Sequence, residues 1–115
     1  SYIYWNMVLQ PGGKSTWGWN QNAMITVNPQ TKEVVYNPEF YAMKHYSHFI
    51  RQGAVRLGIK GHWTGTSVAF ENPDGEIVVI IGNGLNKVRN FTFRGREKEF
   101  AVVLKPYSFN TIVMR

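Results

Sequence analysis

The residue types best suited to recognise a ligand lie near the start of the chain. They are Trp5, Asn6, Trp17, Trp19 and Asn20, which flank a segment rich in glycine, proline and serine. Indole rings stack on the apolar faces of sugars, and asparagine amides offer donors and acceptors to hydroxyl groups. This combination indicates carbohydrate binding. In the alternative interpretation, Trp17 and Trp19 cover a strand end as hydrophobic lids, and residue types alone do not separate the two.

Candidates for acid–base catalysis are weaker. Glu71, Asp74 and Glu76 flank a Pro-Asp-Gly segment, where carboxylates usually shape the turn and favour solubility. Because no carboxylate lies within the aromatic loop at residues 10–22, the sequence predicts no complete glycosidase or protease centre. We assign no catalytic residue.

The histidines and the absence of cysteine limit metal chemistry. His45 and His48 are three residues apart on a predicted helix, a spacing that two metal ligands can use, but His62 belongs to a predicted strand. The chain has no cysteine, which excludes disulfides, thiolate metal sites and a cysteine nucleophile. We expect no metal and no cofactor, and predict that His45 and His48 serve helix packing or an interface.

The composition is that of an ordinary globular chain of 115 residues with a net charge of +6. A basic balance raises nucleic acid as a partner, but the densest charged run, residues 94–99, alternates in sign and is typical of a solvated hairpin. We expect no nucleic-acid partner. The longest apolar runs, such as residues 77–81, have strand length, so we also expect no membrane span. Composition leaves the localisation open.

The first half of the chain is predicted to form a strand, a loop, a hairpin and a helix. Nearly every residue from Tyr2 to Leu9 is apolar, which predicts a strand buried on both faces, as in a parallel sheet. No parallel neighbour is evident, so we expect this strand to belong to a larger body. Residues 10–22 form a predicted loop, residues 23–28 and 33–36 short strands. Pro38 and Gly53 suit the two ends of a helix over Asn37–Arg51.

From residue 54 onward the chain alternates short strands with turns. We predict strands over residues 54–63, 67–71, 76–82, 88–93, 100–104 and 111–114. Six short strands without a helix indicate an antiparallel sandwich or barrel. We therefore place a domain boundary between residues 53 and 54, giving domains at 1–53 and 54–115.

Four segments, taken in order, resemble glycoside hydrolase family 30, which includes the glucosylceramidases and related β-glycanases. They are YWNMVLQPGG at 4–13, YNPEFY at 36–41, HYSHFIRQGAVR at 45–56 and PYSFNT at 106–111. Departures from the family pattern are Gln52, where proline is common, and His48, where lysine is common. The resemblance covers essentially the whole chain.

The resemblance implies a mainly β fold: a Greek-key-like antiparallel β-sandwich preceded by the last strand-loop-helix unit of a (β/α)8 barrel. Family members are retaining hydrolases that use two glutamates, and both would precede Ser1. Trp5 matches a tryptophan that lines the sugar subsite, Asn20 a loop asparagine at the mouth of the pocket, and Trp17 another tryptophan of the family, so the resemblance implies that all three bind substrate. The resemblance thus implies the C-terminal part of a secreted or periplasmic β-glycosidase, inactive alone.

The partners implied are a glycoside substrate and the barrel that precedes the chain, with self-association where that barrel is missing. In this interpretation the sandwich braces the barrel. The alternative is a stand-alone carbohydrate-binding module in which Trp17, Trp19 or Trp63 contacts the glycan, with Trp63 exposed at a strand end.

Overall fold

The computed structural model describes residues 2–95 and 98–115. The chain divides into two compact units, the first ending at Lys44 and the second running from His45 to Arg115. The sequence-based boundary between residues 53 and 54 lies further along the chain and stays a prediction. Each unit is described separately below.

The first unit contains a three-stranded sheet. Its strands are β1 (Val8–Leu9), β2 (Ile25–Val27) and β3 (Val34–Tyr36), in the order β1-β2-β3. β1 and β2 are parallel, with Val8 opposite Ile25, whereas β2 and β3 form an antiparallel hairpin. The two hairpin strands fall within the predicted ranges. The parallel pairing corrects the expectation that the chain offers the opening run no parallel neighbour.

The opening run itself is far less buried than predicted. Only its last two residues form a strand, and the side chains of Tyr2, Ile3, Trp5 and Met7 are 69–87% exposed. The backbone of this run does have partners: Ile25 donates its N–H to the Met7 carbonyl oxygen at 2.9 Å. Apolar side chains are buried only where another element covers them. The apolar character of the run was predicted correctly, but its burial on both faces was not.

A single helix, α1, runs from Pro38 to Ser47. Proline at the first helical position is as predicted, because the missing N–H needs no partner there. The predicted end at Arg51 is wrong, since the helix stops four residues earlier. Ala42 and Tyr46 of the helix are exposed, whereas Phe40 is half-buried and its ring centroid lies 4.6 Å from that of Tyr36.

The second unit is a β-sandwich. One sheet has the order β4-β5-β6-β9, and the other is a two-stranded hairpin of β7 and β8. The strands are β4 (Val55–Leu57), β5 (Ser67–Glu71), β6 (Ile77–Asn83), β7 (Arg89–Gly95), β8 (Lys98–Leu104) and β9 (Ser108–Met114). All pairs in both sheets are antiparallel. The predicted mainly β, antiparallel sandwich is confirmed, although the first predicted strand, 54–63, shrinks to three residues.

The sandwich core lies between the two sheets. Ile77, Val79 and Ile81 of β6 face Phe91 and Leu104 of the hairpin, and each of the five is at most 5% exposed. Val78 and Ile80 point to the opposite face, since side chains alternate along a strand, and both are also buried. A strand buried on both faces explains why β6 is a continuous apolar run.

Turn chemistry sets the register of the β5–β6 hairpin. The Asn72 N–H donates to the Glu76 carbonyl oxygen at 2.8 Å, and the Gly75 N–H donates to the Asn72 carbonyl oxygen at 2.9 Å. Gly75 has φ +83°, a conformation that favours glycine. The predicted Pro-Asp-Gly turn is therefore present.

The alternating-charge segment lies on the second sheet. Arg94 on β7 pairs with Glu99 on β8, and their side chains form an exposed ion pair, as a solvated hairpin predicts. Residues 96 and 97 of this segment lie outside the described residues. Within the described part of the chain, no helix has the length and hydropathy needed to cross a membrane.

Candidate functional site

The aromatic loop of the first unit is ordered around Ser15. The Ser15 N–H donates to the Trp19 carbonyl oxygen, and the Gly18 N–H donates to the Ser15 carbonyl oxygen, both at 2.9 Å. The Ser15 hydroxyl oxygen also accepts the N–H groups of Trp17 at 3.3 Å and Trp19 at 3.2 Å. Gly18 completes the turn with φ +80°. Both tryptophans therefore stand on a turn whose backbone groups are paired.

The base of the loop is closed like a short hairpin. Lys14 and Asn20 form an antiparallel bridge, and the Gln21 N–H donates to the Gly13 carbonyl oxygen at 3.1 Å. A Cβ atom at Gly13 would lie only 3.1 Å from the Leu9 Cβ, so glycine allows the loop to pack against the end of β1. Residues 10–22 thus form a loop, as predicted, and a single bridge closes its base.

Trp17 and Trp19 form an exposed aromatic pair. Their ring centroids lie 5.7 Å apart with an interplanar angle of 32°, and their exposed fractions are 76% and 69%. A hydrophobic lid would bury its rings against the strand that it covers. The exposure of both rings argues against the lid interpretation, and the ligand-binding interpretation stays a prediction.

Trp5 is connected to the same loop through its neighbour. The Asn6 side-chain amide donates to the Gln21 Oε1 and to the Asn22 carbonyl oxygen, each at 3.3 Å. Trp5 itself is 85% exposed. Asn6 therefore fixes the backbone that carries Trp5 to the base of the loop that carries the tryptophan pair.

Asn20 is also exposed and lies opposite Lys14 in the bridge. Of the three residues predicted to contact sugar, Trp17 forms an aromatic pair with Trp19. Trp19 was not among the three. The Trp-Gly-Trp sequence, with glycine at the turn, is the signal that could have revealed it.

A small polar cavity of about 300 Å³ adjoins the base of the loop. Gln10, Gln21, Asn22 and Asn37 line it together with Glu39. The Asn37 amide donates to the Ala23 carbonyl oxygen at 2.7 Å and to the Thr26 hydroxyl at 2.9 Å. Amide-rich linings of this kind suit hydroxyl recognition, since amides both donate and accept.

The sandwich has a larger cleft of about 920 Å³ along β7. Trp63 lines it but does not form an exposed platform, which corrects the prediction. It is half-buried, meets Phe91 edge-on at 5.7 Å between centroids, and carries the Arg89 guanidinium 4.9 Å above its ring. These contacts assign Trp63 to packing of the sandwich.

Carboxylates at the β5–β6 turn are paired with arginines. Arg51 forms ion pairs with Asp74 and, at 3.8 Å, with Glu76, and the Arg115 Nε donates to Glu76 at 2.9 Å. The backbone N–H of Glu76, with Arg51, holds the pKa of Asp74 below its ordinary value. These contacts give both carboxylates a structural role, as the turn predicts.

His45 takes part in packing, as its position on the predicted helix indicates. Its Nδ1 lies 2.8 Å from the Thr111 hydroxyl, and its ring meets Phe109 edge-on at 4.8 Å between centroids. Burial lowers the pKa of His45. Across residues 2–95 and 98–115, no group of three or more histidine, aspartate or glutamate side chains is placed to hold a metal ion.

Comparison with known proteins assigns the family. Residues 53–112 match the family model of the glycosyl hydrolase family 30 beta sandwich domain, which is more than half of the chain. The chain belongs to glycosyl hydrolase family 30. The match confirms the family resemblance drawn from the four sequence segments and covers the β-sandwich described above.

Curated relatives of this family 30 chain carry glucosylceramidase names. A Caenorhabditis elegans protein provisionally named glucosylceramidase 2 is 34% identical over 82 residues, covering 68% of this chain and 16% of that protein. The lysosomal acid glucosylceramidase of Mus musculus is 29% identical over 115 residues, covering 96% of this chain and 22% of the mouse protein. The family 30 chain thus spans about a fifth of the length of these relatives.

Solved structures reproduce the fold. SrfJ from Salmonella typhimurium matches with a TM-score of 0.88 and 28% identity, over 96% of this family 30 chain and 25% of that chain. The endo-beta1,6-glucanase BT3312 matches with a TM-score of 0.81 and 26% identity, over 93% and 25% respectively. The chain is therefore similar to one quarter of each of these larger proteins.

Proposed function

We propose that this chain is the C-terminal part of a retaining β-glycosidase that hydrolyses β-glucosides, with a glucosylceramidase-like parent. The observation that carries the proposal is the family 30 match over residues 53–112, together with relatives named as glucosylceramidases. Because the chain spans only 16–22% of those relatives, the activity belongs in this proposal to the complete protein.

The hydrolytic centre of the proposed enzyme requires two carboxyl groups about 5 Å apart, one as nucleophile and one as general acid and base. Asp74 and Glu76 lie two residues apart at the β5–β6 turn, and Arg51 contacts both. The backbone N–H of Glu76, with Arg51, lowers the pKa of Asp74, so that Asp74 is a poor proton donor. We therefore infer that both catalytic glutamates belong to the preceding barrel and that the chain alone is inactive.

The role assigned to the first unit is sugar contact. Trp5 would stack against a sugar ring, Trp17 would contact the sugar at the loop tip, and Asn20 would hydrogen-bond a hydroxyl group. Their exposure, together with the hydrogen-bonded loop that holds Trp17, supports this role. The sandwich braces the barrel in this proposal, which its dense core around β6 supports.

The exposed opening run defines the contact surface for the barrel in this proposal. Tyr2, Ile3 and Met7 are each at least 69% exposed, an unusual density of apolar side chains for one short segment. In the complete protein the barrel would cover them. The isolated chain is expected to self-associate through them, and light scattering at increasing concentration tests this. A monodisperse monomer throughout would contradict that role.

An activity comparison tests the proposed function. The chain alone and the complete protein, in which a barrel precedes the chain, are assayed on an aryl β-glucoside. The complete protein is expected to release a product that retains the β-configuration by NMR, while the chain gives no turnover. Enzyme-like turnover by the chain alone, or an inverted product from the complete protein, would refute the proposal.

A stand-alone carbohydrate-binding module is the second candidate, and the exposed Trp17–Trp19 pair is the observation that favours it. In this case the chain would bind glycans without any barrel, and it would contribute nothing to the hydrolytic activity of the complete protein. Deleting the chain from the complete protein discriminates the two. A bracing role predicts that the remaining protein loses both its fold and its turnover. A binding module predicts that turnover of the aryl β-glucoside survives the deletion.

A further inference from the structure

The last residue of β6, Asn83, joins two connections of the sandwich. Its side-chain amide donates to the carbonyl oxygens of Lys87 at 2.8 Å and of Lys105 at 2.9 Å. Its Oδ1 accepts the N–H of Leu85 at 3.2 Å. Only 2% of Asn83 is exposed, so both ends of its amide are paired in a place that water reaches poorly. The side chain thereby ties the β6–β7 connection to the β8–β9 connection.

The residue that follows Asn83 makes it the most reactive asparagine of the chain. The sequence has ten asparagines, and Asn83-Gly84 is its single Asn-Gly pair. A backbone nitrogen that loses its proton can attack the side-chain carbon of the preceding asparagine and close a succinimide ring. Glycine permits this approach because it has no Cβ to crowd the nitrogen. Three other asparagines, at positions 28, 37 and 72, precede proline, whose nitrogen has no proton to lose.

In the folded chain, hydrogen bonds block this attack. The side-chain carbon of Asn83 must turn toward the nitrogen of Gly84, and that rotation breaks the bonds to Lys87 and Lys105. Two carbonyl oxygens would then lose their donor, which is unfavourable where water cannot replace it. Asn83 also pairs with Ser108 on β9, which holds its backbone extended. The reaction therefore requires the two connections to separate first.

We propose that Asn83 is a deamidation site that the fold protects, so that opening of the sandwich is followed by a permanent covalent change. The nitrogen of Gly84 forms a bond to the Asn83 Cγ, and the Asn83 Nδ2 leaves as ammonia. Water then opens the succinimide ring at one of its two carbonyl carbons. The products are aspartate and isoaspartate, and water is the only reactant consumed. This inference does not depend on the proposed function.

Either product prevents the sandwich from closing again. In the aspartate product, a carboxylate oxygen replaces the donor and faces the carbonyl oxygens of Lys87 and Lys105. A buried charge without a partner is strongly unfavourable. The isoaspartate product adds a carbon to the backbone at the position that pairs with Ser108, and so disrupts the β6–β9 pairing. Chemical modification of the unfolded state in this way makes unfolding irreversible.

Deamidation rates of the folded and the unfolded chain test the proposal. The chain is incubated in mildly alkaline buffer with and without concentrated urea. Mass spectrometry of the peptide that contains residues 83 and 84 measures aspartate and isoaspartate. Circular dichroism establishes that the chain is folded in buffer, and the complete protein replaces it if it is not. We expect the rate in buffer to be lower than the rate in urea by about tenfold or more.

Variants separate the protection from the intrinsic reactivity. Gly84→Ala is expected to slow the reaction in urea, because its Cβ crowds the attacking nitrogen. Ile81→Ala removes core packing two residues away on β6, and is expected to raise the rate in buffer while leaving the rate in urea unchanged. The milder Ile81→Val should raise the rate in buffer less, and it keeps the comparison valid if Ile81→Ala does not fold.

Asn83→Asp reproduces one of the products directly. After dilution from urea, this variant is expected to recover less native circular dichroism signal than the wild-type chain. Asn86→Asp is the matched control, because it adds the same charge at an exposed position of the same connection. It is expected to refold like the wild-type chain.

Three results would overturn the proposal. Equal rates in buffer and in urea would mean that the hydrogen bonds of Asn83 give no protection. An absence of isoaspartate at residue 83 in urea would remove the site itself. Equal refolding of Asn83→Asp and Asn86→Asp would contradict the irreversible step. None of these results bears on the glycosidase activity of the complete protein, which the activity comparison tests separately.

Discussion

The side-chain amide of Asn72 donates a 2.9 Å hydrogen bond to the carbonyl oxygen of Phe49, a residue that follows the end of α1. The Asn72 Oδ1 accepts the N–H of Arg51 at 2.9 Å. One buried side chain, 2% exposed, therefore satisfies two backbone groups in the segment between α1 and β4 and ties that segment to the β5–β6 turn.

Asn72→Ala is expected to lower the free energy of unfolding by about 1–3 kcal/mol, because both backbone groups lose their partner in a place that water reaches poorly. Chemical denaturation followed by circular dichroism measures the change. Asn90→Ala is the matched control: Asn90 is exposed on β7, and a shift within about 0.5 kcal/mol is expected there. Equal effects of the two substitutions would contradict the role of Asn72.

Stability is expected to fall as the pH drops below about 6.5 because of His45. Burial lowers the pKa of His45 from 6.5, so the unfolded chain takes up a proton at a pH where the folded chain does not. Unfolding is favoured wherever the unfolded state binds more protons, so the contribution is present above pH 6.5 and is lost on acidification.

The His45 prediction is checked by unfolding curves between about pH 5 and 8. His45→Gln should flatten the dependence while leaving a partner for the Thr111 hydroxyl. His62→Gln serves as the control and should leave the wild-type slope in place. A slope that survives His45→Gln unchanged would assign the pH dependence to other groups.

The core around β6 is expected to be the most sensitive part of the sandwich to truncation. Ile81 is fully buried, so Ile81→Ala leaves a cavity and should cost about 2–5 kcal/mol, whereas Ile81→Val should cost about 0.5–1.5 kcal/mol. Val103 is 66% exposed on β8, and Val103→Ala should change little. Thermal and chemical denaturation provide the ranking, and an Ile81→Ala variant as stable as Val103→Ala would refute it.

Gly75 isolates the contribution of backbone conformation to the β5–β6 turn. It has φ +83°, and a Cβ there would meet nothing within 4 Å, so Gly75→Ala tests conformation without a steric clash. We expect a loss of about 1 kcal/mol, and a smaller loss for Gly75→Asn, since asparagine tolerates this region. Gly84, with equal space but no positive φ, is the control, and Gly84→Ala should be neutral.

Local signals predicted the centre of the sandwich well. The Pro-Asp-Gly turn and the apolar runs on either side placed β5 at residues 67–71 as observed and β6 within one residue of its bounds. These elements are specified by residues next to each other in the sequence, which is why pattern and turn chemistry are sufficient.

The end of α1 could not be predicted in the same way. Gly53 does adopt φ +85°, as a helix stop signal suggests, but the helix has already ended at Ser47. The backbone that follows is held by Asn72, through the N–H of Arg51. A partner so distant in sequence leaves no local signal.

The candidate site, too, could be predicted only where residue type or local sequence was sufficient. Tryptophan and asparagine side chains identified the loop, because their chemistry is readable from residue type. The pairing of Trp17 with Trp19 depends on the turn at Gly18, and the packing of Trp63, which lies in a turn before β5, depends on Phe91 of β7. Burial of a given aromatic residue is a property of tertiary contacts, so sequence reasoning left Trp63 exposed when it is half-buried.

The strand order has a consequence for biosynthesis. β6 lies between β5 and β9, although β7 and β8 separate β6 from β9 along the chain. On the ribosome, the hairpin of β5 and β6 emerges first, and one edge of the most apolar strand stays open until residues 108–114 have been translated. The sandwich is therefore expected to close only after β9 is released, and the nascent chain carries an unpaired apolar edge that holding chaperones recognise.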